Sequence, residues 1–120
     1  MEGTQPEKEF ASSDNGRIFS CSGCNCIHVE FSTIAMNLSA REFFRLKHVL
    51  DEISLEYCEV YFRNTRWKRK IHVQLQPTPI NLAFTRDELI ELRRLFDEAE
   101  AAFAVENLVR LSFDHSRYNE

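Results

Sequence analysis

Ile27-His28-Val29-Glu30-Phe31 returns later in the chain as Ile71-His72-Val73-Gln74-Leu75, with the same alternation of apolar and polar positions. A period of two is the mark of a strand with one face buried. A second alternating run follows each copy, Ile34-Ala35-Met36-Asn37-Leu38 and Ile80-Asn81-Leu82-Ala83-Phe84. Each copy therefore reads as a strand pair. The second hairpin is the longer one and turns through Pro77-Thr78-Pro79, where missing amide donors forbid ladder pairing.

Each pair runs straight into a helix start. Ser39-Ala40-Arg41-Glu42 and Thr85-Arg86-Asp87-Glu88 both match the capping box, in which the Ser or Thr oxygen accepts from the third helical amide and Glu reaches back to the cap amide. Beyond the caps, Phe43, Leu46, Leu50 and Ile53 form one apolar stripe, and Leu89, Leu92, Phe96 and Ala99 form the corresponding one. The expected fold class is α+β: a two-layer sandwich from a tandem strand-strand-helix repeat, with about four antiparallel strands and two helices on one face. The repeat halves span about 18–55 and 67–111.

Alternation also assigns the faces. Ile27, Val29, Phe31, Ile34, Met36 and Leu38, with their counterparts in the second copy, point at the helices. His28, Glu30, Asn37, His72, Gln74 and Asn81 face away. Arg17-Ile18-Phe19-Ser20 reads as a short extra strand. Residues 55–66, with Tyr57, Val60, Tyr61 and Phe62, are too apolar for a solvated loop, and part of the segment is expected on the core. The sequence after Phe103 permits the second helix to run long or to break once. Residues 1–16 are polar, with only Phe10 as a bulky apolar side chain, and read as a disordered tail ahead of a single domain over 17–120.

A chain of 120 residues with 43% hydrophobic content and 10 Phe closes one ordinary core. No basic cap with an apolar run opens it, and charges interrupt every apolar stretch well short of a membrane span, so the expected location is cytoplasmic with no membrane partner. A net charge of -4 argues against binding polyanions over the whole surface, while leaving room for a local basic cluster.

The run Ile18-Phe19-Ser20-Cys21-Ser22-Gly23-Cys24, then Ile27-His28 and Phe31, then Leu38-Ser39 and Glu42-Phe43, resembles a family of short bacterial proteins of unknown function. That family opens with a C-x-x-C pair, continues into a hairpin and a Phe-rich helix, and repeats the pattern once. The resemblance covers most of the chain after the tail. It implies the same fold, and nothing about a substrate.

Two clusters carry chemistry. Cys21 and Cys24, separated by a turn containing Gly23, have the spacing that clamps one zinc ion, with Cys26, His28 and Cys58 as available completions. No second C-x-x-C or C-x-x-H accompanies them, and the plain alternative is four reduced cysteines. Disulfides are the minor reading, as is a thioredoxin-like site, because a strand rather than a helix follows the pair. The second cluster is Arg63, Arg66, Lys68, Arg69 and Lys70 around Trp67, preceded by Tyr61 and Phe62. Cations that meet phosphates beside rings that stack on bases are what single-strand binding uses. Its plain alternative is a solvated loop entering a strand, with Trp67 anchoring the core edge.

Weaker signals are set aside. His28 and His72 hold equivalent places in the two copies and would meet only if the halves were related by a twofold. Asp114-His115-Ser116 has triad residue types, but neighbours in a frayed tail cannot orient one another. Glu98 with Glu100, and Glu56 with Glu59, read as wet faces. No P-loop, dinucleotide fingerprint or nucleophile elbow is present, so no enzyme is expected. The leading expectation is a non-enzymatic interaction or regulatory module, zinc as an optional clamp, with a protein partner or self-association. The alternative is a single-stranded nucleic-acid or phosphate binder acting through Arg63 to Lys70.

Overall fold

A computed structural model describes residues 7–21, 23 and 25–118, with side chains as far as residue 106 of the last helix. Its elements are β1 (Glu7–Ser12), β2 (Gly16–Cys21), β3 (Ile27–Phe31), β4 (Ile34–Leu38), α1 (Ala40–Glu52), α2 (Leu55–Tyr61), β5 (Ile71–Gln74), β6 (Asn81–Phe84) and α3 (Arg86–Tyr118). The chain is α+β. The four-stranded antiparallel sheet, however, is the meander β1-β2-β3-β4, and β5-β6 form a separate two-stranded sheet.

Strand β1 corrects the tail reading. Its charged opening, Glu7-Lys8-Glu9, hides a strand that pairs with β2 along its length. A register shift between Glu9 and Ala11 leaves Phe10 as an extra residue. Such a bulge lets two consecutive side chains turn to the same side. Both Phe10 and Ala11 accordingly pack against the core, Phe10 edge-on to Phe103 at 4.6 Å. The β1–β2 turn is tied down by Glu91 of α3, which accepts from Ser13 Oγ at 2.5 Å and from Asn15 Nδ2 at 2.9 Å. These donors hold the Glu91 carboxyl below the usual carboxylate range. Gly16 opens β2 because no Cβ fits there: one would stand 2.5 Å from the Glu30 carbonyl oxygen and 2.9 Å from Phe31 Cδ1.

Both capping boxes form. Ser39 Oγ accepts from Glu42 N at 3.1 Å and Glu42 Oε1 accepts from Ser39 N at 2.9 Å. The α3 pair is Thr85 and Glu88, at 3.2 Å and 2.8 Å. Both helix stripes bury as the periodicity requires. Phe43, Leu46 and Leu50 of α1 meet Leu89, Leu92, Phe96 and Ala99 of α3, with Leu95 added and Ile53 only half-buried. The rings of Phe43 and Phe96 stack at 4.6 Å. Ile18, Val29, Phe31, Ile71, Val73 and Phe84 supply the sheets' share. Phe31 and Phe84, with centroids 6.2 Å apart, join the two sheets.

The linker 55–66, expected in part on the core, is half helix. Ser54 caps α2 by accepting from Tyr57 N at 3.1 Å, but only Leu55 of the helix is fully buried. The last turn of α1 has no basic residue of its own. Arg93 of α3 supplies one from outside, donating to the carbonyls of Leu50, at 2.8 Å, and of Ile53. A cation at a helix C-terminus satisfies orphan carbonyls and complements the dipole. Arg93→Ala leaves those carbonyls without this donor and is expected to cost about 1.5–3 kcal/mol, the range for hydrogen bonds to a charged group. Urea unfolding of the variant beside the parent measures it. Lys47 likewise bridges α1 to α3, reaching Asp51 at 2.7 Å and Asp97 at 3.1 Å, and stays protonated because of these carboxylates.

Candidate functional site

Helix α2 carries its apolar residues on the wrong side for a core. Tyr57 and Tyr61 are each 65% exposed, Val60 is 59% exposed, and Trp67 in the following loop is 50% exposed. These residues are not scattered. Tyr57 stacks on Tyr61 at 5.6 Å, Tyr61 meets Phe62 edge-on at 4.7 Å, and Phe62 stacks on His72 at 5.0 Å. Trp67 lies 4.5 Å from His72 and 5.1 Å from Phe62. Five rings thus form one continuous surface running from α2 to β5. Spacing of three and four residues on a helix joins Tyr57, Val60 and Tyr61. The loop 62–70 folds back to bring Trp67 onto the same rings. Thr65 N bonds Phe62 O at 3.0 Å, and Lys70 Nζ anchors on Thr65 O at 2.8 Å.

The cations divide into two groups. Arg69 is committed: it forms a bidentate pair with Glu88 at 2.9 Å and 3.1 Å, which holds the Glu88 carboxyl below its usual range. Lys70 is spent on Thr65. Arg69 therefore does not belong to the open set that the sequence suggests. Arg63, Arg66 and Lys68 are exposed and make no ion pair among the described residues. The nearby carboxylates of α2 are already matched, since Arg86 binds Glu59 at 2.7 Å and Glu56 at 3.4 Å. Three uncompensated cations thus flank an exposed aromatic surface, on a chain whose total charge is acidic. Trp67, which the plain alternative places at the core edge, packs on the rings of Phe62 and His72 with half its surface in solvent. The sequence names Arg63, Arg66, Trp67 and Lys68. It misses Tyr57 and His72 as members, although the spacing of Tyr57 to Tyr61 was available as a signal.

Cys21 ends β2 in a disulfide, which overturns the expectation of a reduced thiol there; Cys24 lies outside the described residues. Cys26 and Cys58 are free, half-buried thiols, Cys58 in α2 and packed against the core. Among the described residues no group of three or more His, Cys, Asp or Glu side chains is placed to hold a metal ion. His28 and His72 sit in different sheets and do not meet. His28 donates from Nδ1 to Asn37 Oδ1, 2.6 Å away, and its Nε2 lies 3.4 Å from Cys21 Sγ, whereas His72 belongs to the ring surface. A cleft of about 440 Å³ lies between the β3–β4 turn and β6, with the Arg69–Glu88 pair in its wall. No helix among the described residues is long and apolar enough to cross a membrane.

A family model described as a family of unknown function (DUF6686) matches residues 4–118. No curated protein and no solved structure matches the chain.

Proposed function

This chain belongs to that family of unknown function, and for it we propose a small non-enzymatic binding module whose working surface is the ring-and-cation face of α2 and the loop before β5. Its ligand is a single strand of nucleic acid. The observation that carries this reading is the placement of Arg63, Arg66 and Lys68, without carboxylate partners, beside Tyr57, Tyr61 and Trp67. Unstacked bases have flat faces for the rings and phosphates for the cations, whereas duplex DNA hides its faces. Fluorescence anisotropy of labelled single-stranded RNA and DNA at low salt tests it. Saturable binding that exceeds binding to the duplex of the same sequence is the expected result, and none at low salt removes the reading.

A second reading is docking of a protein segment by strand addition. It is favoured by the outer edge of β4 and by the β5–β6 sheet, which are not paired with further described strands, and by the cleft beside β6. Edge β1 is the poorer candidate, being charged and bulged. A monomer by light scattering together with no partner in pull-downs would dispose of strand docking.

A further inference from the structure

Strand β6 leaves part of its main-chain hydrogen-bonding capacity open, and the ladder shows which part. Leu75 N donates to Ile80 O at 2.9 Å. From there the register pairs Gln74 with Asn81, Val73 with Leu82, His72 with Ala83 and Ile71 with Phe84. Directly opposed residues of an antiparallel pair alternate between bonded and non-bonded. Leu82 and Phe84 therefore bond to β5, while the N–H and C=O of Asn81 and Ala83 turn to the outer side, where no described strand pairs with them. Both residues are exposed. Edges are usually blunted by charge, bulge or proline, as β1 is by Glu7-Lys8-Glu9 and the bulge at Phe10. The run Asn81-Leu82-Ala83-Phe84 has none of these.

The cleft of about 440 Å³ lies on this outer side, since all of β6 lines it and nothing of β5 does. The tip of the β3–β4 hairpin, from Phe31 to Ile34, lines it from the other side. Open donors and acceptors two residues apart, about 7 Å along a strand, match another extended main chain. Leu82 and Ile34 pack on the core yet stay only half-buried, so alternate side chains of the occupant must be apolar to cover them. Arg69 and Glu88 in the lining satisfy each other and leave no open charge for a charged segment. A second copy is the poorer occupant, because pairing β6 with β6 would bring a whole two-stranded sheet against the hairpin tip.

We propose that an extended, uncharged segment of a partner polypeptide, apolar at alternate positions, adds to the outer edge of β6 in this cleft. The inference rests on the strand-docking reading and fixes its edge and the chemistry of its partner. The test titrates the isotope-labelled full chain with an acetylated, amidated Thr-Val-Thr-Val-Thr peptide and follows amide chemical shifts and hydrogen exchange. Saturable shifts and slowed exchange at Asn81 and Ala83, with shifts at Ser32 to Ile34, are the expected result. Methylating one alternate set of peptide amides abolishes them, and equal tolerance of both sets overturns the proposal. Ala83→Pro removes an open donor and no bond to β5, so the urea midpoint stays near the parent's while binding weakens about tenfold, the cost of one main-chain hydrogen bond. Parent-like binding by this variant overturns the proposal, as does a dimer whose Asn81 and Ala83 amides are protected before peptide is added. Shifts confined to Ala35 and Asn37 overturn it while leaving strand docking at β4, and no saturable shift anywhere removes both.

Discussion

Phe96→Ala lowers the unfolding free energy by about 3–5 kcal/mol, the usual cost of deleting a buried phenyl ring and leaving its cavity. Phe96 is 1% exposed, stacks on Phe43 at 4.6 Å and sits where α1, α3 and the sheets meet. Domains of this size retain only about 5–15 kcal/mol, so the substitution removes a large share of it. Phe44→Ala is the internal control. Phe44 is 43% exposed, and losing its ring removes surface that folding only half covered. Its cost is expected to be well below half that of Phe96→Ala. Urea unfolding with unchanged slope reads both values, and equal costs would show that the stripe does not carry the core.

Reversing three charges should have the largest effect on binding. Arg63→Glu, Arg66→Glu and Lys68→Glu together replace three open cations with three anions beside the rings. For single strands each phosphate contact contributes about 0.7 to the salt slope, so three contacts make it about 2. Raising salt from about 50 to about 200 mM then weakens the parent about 20-fold. The triple variant loses both detectable affinity at low salt and that slope, while its urea midpoint stays close to the parent's because all three side chains are exposed. Parent-like binding in this variant would place the ligand elsewhere. Arg69→Glu is unsuited to the purpose, since it breaks the pair with Glu88 and with it one end of a helix cap.

The sequence was legible where local chemistry and burial point the same way. The alternation in β3, β4 and β5, the boxes at Ser39 and Thr85, and the stripes of α1 and α3 each carry their own signal, and each takes its expected form. Strand β1 carries almost none. Its inward pair, Phe10 and Ala11, is adjacent in sequence because of a bulge, and a bulge erases the period of two. Sheet membership was equally hidden. Strands β5 and β6 have the alternation of a sheet partner, but their joint with the larger sheet is the contact of Phe31 with Phe84 rather than a hydrogen-bonded ladder. Half of the ring-and-cation face could be read, because cations and Trp67 cluster in sequence. The other half could not, since Tyr57 and His72 join it only after α2 and β5 come together. Which cations remain open depends on Glu88 and Glu59 finding Arg69 and Arg86, pairings between distant segments.

Trp67 is the sole tryptophan of the chain, so its emission reports on this face alone. Titrating the protein with a short oligothymidylate at low salt should quench that emission to a plateau, as a base settles against the indole, and added salt should restore it. Emission that stays unchanged while the oligonucleotide is shown to bind, or that never changes at all, would contradict a nucleic-acid role for the rings and cations of α2 and its loop.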